Sequence, residues 1–248
     1  MTNLTAWVNS LYHCHHTNSA PIVLKALTND ASFRKYYRFE VNQQSLIAVD
    51  SPPAREKNKE FIAIQSILFN NNVNVPQVHH YDSEHGFFVI EDLGDNTLLP
   101  LLKKNPNLAT ELYQSAFDQL ISIQNSDINT SNSLDYNIPH FDQKILAYEW
   151  ELFTDWFLSQ YLGVSLVPEQ SLMLSKIFNL MVNNFIQQPQ VLVHRDYHSR
   201  NLMQITRANS KQIGVIDFQD ALIGPVTYDL ISLLRDCYIA WPVDTVKN

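Results

Sequence analysis

The segment Val191–Leu202, with the sequence VLVHRDYHSRNL, places one apolar run before His-Arg-Asp and begins a second one after an asparagine. Four residues separate Asp196 from Asn201, and Asp217 follows sixteen residues beyond Asn201, within an Ile-Asp-Phe triplet. Polar residues that interrupt short apolar runs at such spacings indicate a site on loops between strands. Asp196, Asn201 and Asp217 are therefore the first candidate site residues of this chain.

Three short apolar segments around these residues are predicted to be strands. They comprise residues 191–193, 202–205 and 213–216. The last two are expected to form a hairpin through residues 206–212, which would bring Asp217 back beside Asn201 and Asp196. Three oxygen-bearing side chains should then converge at one point.

Phosphoryl transfer needs such a set of side chains. A nucleoside triphosphate binds together with hard cations that prefer oxygen ligands, so Asn201 and Asp217 suit Mg²⁺. The acceptor hydroxyl needs a carboxylate that orients it and takes its proton late, which suits Asp196. Each residue alone is more simply interpreted as a turn cap. The ordered set instead indicates kinase-like chemistry, with ATP and Mg²⁺ as the cofactors.

The composition narrows the possible partners. The formal net charge of -8 and the lack of a basic stripe argue against nucleic acid and leave a small-molecule acceptor. Two cysteines, Cys14 and Cys237, favour a reducing cytoplasm over a disulfide framework. No signal peptide is expected from the first ten residues, and no apolar run approaches the roughly 20 residues that span a bilayer. The sequence makes no prediction of oligomeric state.

The chain predicts an α+β, bilobal, protein-kinase-like fold. A small N-lobe at 1–92 should hold antiparallel strands at 22–28, 33–41, 45–50, 77–82 and 86–90, with a helix at 55–70. Residues 91–95 connect it to a mainly helical C-lobe at 93–248, with helices expected at 97–103, 107–125, 142–162 and 168–187. The N-lobe is expected to bind nucleotide, and the C-lobe to carry the catalytic loop, the metal site and part of the acceptor pocket.

The predicted helix at 142–162 is unusually aromatic, and a helix of this kind is more often part of a core than of a binding site. Glu151 and Asp155 share a face of it at i, i+4 spacing and repel each other. A polar acceptor pocket would explain that pairing, and a solvated acidic face explains it equally well.

The short sequence separation between Asp217 and Asp229 indicates which class of acceptor to expect. Only eleven residues separate them, which leaves no room for a long, phosphorylation-controlled activation segment. Arg195 should therefore meet no phosphorylated loop, and it becomes a candidate contact for a small-molecule acceptor. Asp229 stands at a predicted helix start, where it should cap the helix and brace the catalytic loop rather than react.

Two long motifs resemble the aminoglycoside phosphotransferase and choline kinase superfamily: His-Arg-Asp-Tyr-His-Ser-Arg-Asn-Leu and Ile-Asp-Phe-Gln-Asp-Ala-Leu-Ile-Gly-Pro-Val-Thr-Tyr-Asp-Leu. Within it, residues 29–38, 49–53, 91–95 and 151–157 look most like the bacterial anomeric amino-sugar kinases. That resemblance implies ATP-dependent phosphorylation of the C1 hydroxyl of N-acetylmuramate and N-acetylglucosamine in cell-wall recycling.

The resemblance also implies roles for individual residues. It makes Asp196 the catalytic base, Asn201 and Asp217 the magnesium ligands, and Glu60 the helix glutamate of the small lobe. Nucleotide contacts are expected from the turn at Ser32 and from the connector, including Glu91 and Leu93.

Two features depart from the family pattern. Kinases carry a lysine on the third strand for the phosphates, whereas this chain has Asp50. Another cation must replace it, and Arg34 or Arg38 is the first choice. Family members also usually continue with further helices that complete the acceptor pocket. This chain ends soon after the helix that follows Asp229, so a shortened C-lobe is expected.

Two alternatives remain beside a sugar kinase. The first is a kinase for an aminoglycoside or another amino-alcohol, for which Glu151 and Asp155 would supply an acidic pocket. The second is a truncated, nucleotide-binding pseudokinase, which Asp50 and the short C-lobe would suggest. The retention of all three candidate site residues argues against the second alternative.

Overall fold

The computed structural model describes residues 3–12, 20–27, 33–128, 136–207 and 209–247. Its N-lobe is built on one antiparallel sheet in the order β1-β2-β3-β5-β4. The strands are β1 (Lys25–Ala26), β2 (Lys35–Val41), β3 (Gln44–Asp50), β4 (Val78–Asp82) and β5 (Phe87–Glu91). All five expected strands are therefore confirmed, although β1 is much shorter than predicted.

The central strand β3 explains how both faces of this sheet are covered. Its side chains alternate between the two faces because a strand has a period of two residues. Leu46 and Ala48 pack with α1 (Leu4–Tyr12) in one cluster, whereas Ile47 and Val49 belong to a second cluster. That second cluster lies on the side of the sheet where α2 (Asn58–Asn70) packs.

The inner face of α2 belongs to a core that both lobes share. Ile64, Ile67 and Leu68 are all at most 1% exposed and lie in one hydrophobic cluster with side chains of the C-lobe. The lobes are thus joined by a continuous apolar core, in addition to the connector at 91–95.

The C-lobe helices largely follow the prediction. They are α3 (Leu98–Lys104), a 3-10 turn (Pro106–Leu108), α4 (Ala109–Gln124), α5 (Gln143–Glu151), α6 (Pro168–Gln187), α7 (Tyr228–Leu234) and α8 (Val243–Lys247). The expected helix at 142–162 changes its winding, since Leu152–Tyr161 forms a π-helix directly after α5. No helix of the described ranges is long and apolar enough to cross a membrane.

The prediction that the aromatic helix belongs to the core is wrong. Trp156 is 66% exposed and Tyr161 is 79% exposed. The Trp150 ring packs against Phe178 of α6, but Val182 is the only buried residue of that 20-residue helix. The helix therefore carries more aromatic surface than its neighbour α6 covers.

Four short strands frame the loops of the C-lobe. They are β6 (Gln190–Val193), β7 (Leu202–Arg207), β8 (Ser210–Val215) and β9 (Leu222–Pro225). β7 and β8 form the expected hairpin, in which Leu202 pairs with Val215, so the position just after β8 returns beside the loop before β7. β9, which pairs antiparallel with β6, was not predicted.

Candidate active site

The loop between β6 and β7 is held by two buried polar side chains. The Asp229 carboxylate accepts hydrogen bonds from the backbone N–H groups of His194, at 2.7 Å, and Arg195, at 3.0 Å. The Nε2 atom of His194 lies 2.9 Å from the carbonyl of Ile216, and its Nδ1 lies 3.3 Å from the backbone nitrogen of Asp196. Burial lowers the pKa of His194, so a neutral ring can donate through Nε2 and accept through Nδ1.

Asn201 links the other two candidate residues. Its Nδ2 donates to the carbonyl of Asp196 at 3.0 Å and to the carboxylate of Asp217 at 3.4 Å. Gln219 fixes the second carboxylate oxygen of Asp217 with a 2.8 Å hydrogen bond. The structure thus brings together the three residues that the sequence singled out, and it adds Gln219 as a side chain that orients one of them.

Two backbone positions in this region are strained. Arg195 has a φ of 77° and Asp217 a φ of 67°, both in the left-handed region that non-glycine residues rarely adopt. Such a conformation costs on the order of 1–3 kcal/mol and tends to cluster at functional sites. Arg195 directly precedes Asp196, and Asp217 is itself one of the three converging residues, so the strained backbone lies within the candidate site.

The donor set fits magnesium bound together with a nucleotide. Within the described ranges no three His, Cys, Asp or Glu residues gather into a metal-binding group. Both side-chain hydrogen bonds of Asn201 use its Nδ2, so its Oδ1 accepts no hydrogen bond from the described residues. Magnesium is commonly held by one or two protein oxygens, with phosphate oxygens and water completing its shell.

A cleft of about 730 Å³ opens between the lobes beside these residues. Arg34, Tyr36 and Arg38 line it from β2 and the residue just before it, and Asn201 and Asp217 line it from the C-lobe. Residues 91–95 of the connector also line the cleft. A drug-sized or nucleotide-sized ligand fits a cleft of this volume.

Arg34 directly precedes β2 and lies beside the end of β3, where Asp50 stands in place of the expected lysine. Its Nε donates to the Ser51 hydroxyl at 3.0 Å, and its guanidinium lies 5.0 Å from the ring centre of Phe61 on α2. Glu56 is its ion-pair partner at 3.5 Å. Arg34 is buried and still lines the cleft, so it holds a positive charge between the sheet, α2 and the nucleotide-sized space.

Tyr36 adds a hydroxyl group to the same wall, and the sequence analysis missed it. Burial raises the pKa of Tyr36, while a hydrogen bond from Arg34 and the Asp217 charge also act on it. The hydroxyl is thus neutral and lies near both groups. Residues 34, 36 and 38 share one side of an extended segment, so the two-residue period offered a signal for finding Tyr36.

The Arg38 side chain forms ion pairs with the connector. It lies 2.7 Å from the carboxylates of both Asp92 and Asp95. Burial alone would raise the pKa of Asp92, but hydrogen bonds from Arg38, Ser45 and the Gly94 N–H together lower it. Two carboxylates therefore balance the Arg38 charge, which leaves Arg34 as the better replacement for the missing lysine.

Of the other predicted nucleotide contacts, some line the cleft and others do not. Glu91 and Leu93 line the cleft, and Glu91 also forms a 2.7 Å ion pair with Arg207 of β7. Glu60, the predicted helix glutamate, lies outside the cleft lining and near Tyr136, whereas Glu56 forms the ion pair with Arg34. Ser32 lies outside the described residues.

The two predicted acidic acceptor residues are not bonded to the loop between β6 and β7 in the part of the chain that the structure describes. Glu151 and Asp155 are exposed, and within the described ranges no hydrogen bond or ion pair joins their side chains to residues 194–201. The π-helix that begins at Leu152 breaks the i, i+4 register on which that prediction depended. Glu149, two residues earlier, instead reaches Arg195 at 3.4 Å.

This fold and this arrangement of polar groups are those of the protein-kinase-like class. Residues 23–247 match the APH phosphotransferase enzyme family, and the chain belongs to that family. The GDP complex of wild-type aminoglycoside 2′-phosphotransferase-IIIa aligns with a TM-score of 0.63 and 19% identity, covering 95% of this chain and 79% of that one. At this identity the likeness supports the fold alone.

Two curated relatives are more similar in sequence, and both are named N-acetylmuramate/N-acetylglucosamine kinase. The one from Pseudomonas aeruginosa is 40% identical over 222 residues, which cover 90% of this chain and 62% of the relative. The one from Pseudomonas putida is 36% identical over 253 residues, which cover 100% of this chain and 71% of the relative. The chain thus spans roughly two thirds of the length of these relatives.

Proposed function

We propose that this chain is an ATP-dependent sugar kinase that phosphorylates the anomeric hydroxyl of N-acetylmuramate or N-acetylglucosamine in cell-wall recycling. The observation that carries the proposal is the convergence of Asp196, Asn201 and Asp217 beside a nucleotide-sized cleft. The names of the relatives support a sugar acceptor over an aminoglycoside or another amino-alcohol.

In the proposed reaction the Asp196 carboxylate orients the acceptor hydroxyl and takes its proton as the hydroxyl oxygen bonds to the γ-phosphorus of ATP and the bond from that phosphorus to the departing ADP breaks. Asn201 and Asp217 would hold Mg²⁺, which would neutralise charge on the phosphate oxygens. Gln219 keeps the Asp217 carboxylate in place through its 2.8 Å hydrogen bond.

The nucleotide is proposed to bind in the cleft between the N-lobe, residues 1–92, and the C-lobe, residues 93–248. Arg34 and the Tyr36 hydroxyl would face the phosphates, and the backbone around Glu91 and Leu93 would meet the adenine edge. The buried Arg34 suits this role because a guanidinium stays protonated and donates several hydrogen bonds in a fixed plane. We further propose that the protein acts in the cytoplasm, without nucleic-acid or membrane partners.

Replacing Asp196 by Asn tests the proposal, because Asn keeps the shape of the side chain but cannot accept the proton. With Mg²⁺-ATP and N-acetylglucosamine or N-acetylmuramate, we expect kcat, measured by ADP release, to fall by about 10²–10⁴-fold. The Kd for ATP should stay within about twofold, because Asp196 is assigned to the acceptor rather than to the nucleotide.

A matched control is Asp118→Asn, which removes one carboxylate from an exposed position on α4. It should leave kcat and the Kd for ATP unchanged. Turnover of kanamycin but of neither sugar by the parent chain would contradict the proposed acceptor. ATP binding without turnover of any acceptor would favour a pseudokinase.

A further inference from the structure

Arg195 directly precedes Asp196, and its side chain lies in a cluster with two other polar side chains that the proposed reaction does not yet use. The Arg195 guanidinium lies 3.4 Å from the Glu149 carboxylate. The Tyr228 hydroxyl lies 3.4 and 3.5 Å from the two oxygens of the same carboxylate. Arg195 and Glu149 retain side-chain exposures of 29% and 32%, so a solute can reach both.

Three separate elements hold this acceptor-side cluster of Glu149, Arg195 and Tyr228 in place. Asp142 caps the start of α5 and thereby fixes the helix that carries Glu149. The backbone of Arg195 is tied to Asp229, and Tyr228 begins α7 with its ring packed on Phe141. The cluster is therefore part of the rigid frame of the loop rather than a chance surface contact.

The hydrogen bonding within the cluster is incomplete. Its contacts of 3.4–3.5 Å are long, whereas the ion pair between Arg207 and Glu91 measures 2.7 Å. The Nε of Arg195 is buried and has no hydrogen-bond partner among the described residues. An unpaired buried donor beside loosely paired oxygens is uncommon in a native protein, and a bound ligand is one way to complete it.

The cluster also lies within electrostatic reach of the candidate base. Burial raises the pKa of the Tyr228 hydroxyl, and the charges of Glu149, Asp196 and Asp229 raise it further against the opposing charge of Arg195. The hydroxyl therefore remains neutral and can donate. Because Arg195 balances Glu149, the wall that they form carries no surplus negative charge for a polycation.

We infer that Glu149, Arg195 and Tyr228 form the acceptor subsite, in which Glu149 accepts hydrogen bonds from hydroxyl groups and Arg195 donates to carbonyl or carboxylate oxygens. The subsite selects neutral or acidic polyols over polycationic acceptors. This inference rests on the proposed function, because it assumes that the Asp196 carboxylate faces the acceptor.

Two charge-removing variants of the full chain test the inference: Glu149→Gln and Arg195→Gln. The acceptors are N-acetylglucosamine, which is neutral, and N-acetylmuramate, which carries a carboxylate. Glu149→Gln should lower kcat/KM for the neutral sugar by roughly 10–100-fold, the loss expected of a hydrogen bond to a charged group. The KM for ATP should remain within about twofold, and Glu84→Gln on an exposed turn should change neither value.

The ratio of kcat/KM between the acidic and the neutral sugar separates binding from mere structural damage. Glu149→Gln leaves Arg195 uncompensated, so the ratio should rise, and Arg195→Gln should lower it. Damage to the fold would reduce both sugars alike and leave the ratio unchanged, and that result would overturn the inference while the proposed function stands. If the parent chain phosphorylates neither sugar, or prefers kanamycin to both, the proposed function and this inference fail together.

Discussion

The contacts of Arg34 and Arg38 differ, although the sequence offered both equally as the cation that replaces the third-strand lysine. Arg34 lines the cleft from the position just before β2, whereas Arg38 is held by Asp92 and Asp95 of the connector. Arg34→Gln should therefore raise the Kd for ATP by roughly 10–100-fold, as expected for loss of charge-assisted hydrogen bonds. The Kd for adenosine, which has no phosphate, should change by less than about twofold. Calorimetric titration with both ligands measures the contrast.

Arg38→Gln is the matched comparison, because it also removes one guanidinium from the same face of the sheet. Loss of the Arg38 guanidinium releases the connector, so the Kd for ATP and the Kd for adenosine should rise by similar factors. Arg34→Lys retains the charge and should recover part of the ATP affinity. Equal weakening of ATP and adenosine in Arg34→Gln would show that Arg34 supports the fold of the cleft instead of binding phosphate.

At the scale of elements, Asp229 joins the start of α7 to the loop after β6 through two backbone hydrogen bonds. Burial raises the pKa of this carboxyl from 3.8 to about 7. The folded chain thus keeps a proton that the unfolded chain releases as the pH rises from 3.8 to about 7. The contribution of Asp229 to stability should fall through this window by roughly 4 kcal/mol.

The variant Asp229→Asn does not titrate, and it loses one of the two acceptor oxygens. It should therefore be less stable than the parent chain, with the largest gap near pH 4, where the contribution of the protonated Asp229 carboxyl is greatest, and a narrower gap at pH 8. Urea unfolding at several pH values measures the free energy of unfolding for both proteins. A gap that stays constant or widens toward pH 8 would show that the buried carboxyl does not titrate in this range.

The elements also show what the sequence could predict. Strands and helices with a clear period were found within a few residues, and α6 was found at its observed bounds. β9 was missed because its four residues are all buried and end in Gly-Pro, so no alternation marks them as a strand. The π-helix at Leu152–Tyr161 was missed because its apolar residues also fit an α-helical period.

The same limits apply to the candidate site. Asp196, Asn201 and Asp217 were found from their spacing, because a hairpin of fixed length brings them together. The sequence pointed to Glu151, whereas Glu149 is the residue that reaches Arg195, since the choice between them depends on how the end of α5 is rotated against the loop. Packing sets that rotation, and local sequence does not reveal it.

At the scale of the whole molecule, the two lobes are linked by more than the connector. Asn74 follows α2 in the N-lobe, and its backbone N–H donates to Gln119 of α4 at 2.7 Å. Its side chain donates to the carbonyl of Ile213 in β8 at 3.1 Å, and its own carbonyl accepts from Val215 at 2.7 Å. Together with the shared core around α2, these contacts make each lobe depend on the other.

We therefore expect the chain to unfold in one cooperative transition. Trp7 packs on Phe87 in the N-lobe, and Trp241 packs on Tyr113 in the C-lobe, so each can report on its own lobe. Two variants keep only Trp7 or only Trp241, with the other tryptophans replaced by Phe. In each variant, the urea midpoint from tryptophan fluorescence should equal the midpoint from circular dichroism, which reports on the whole chain.

Adding Asn74→Ala to both reporters sharpens this test. The substitution leaves buried backbone and side-chain partners unpaired, so it should lower stability by about 2–4 kcal/mol. Both midpoints should move together, because an interaction that spans the lobes stabilises both. If only the Trp241 signal shifts, or if the two signals separate, the lobes fold independently and the shared core does not couple them. If both shift by the same amount, the contacts of Asn74 stabilise the two lobes as one cooperative unit.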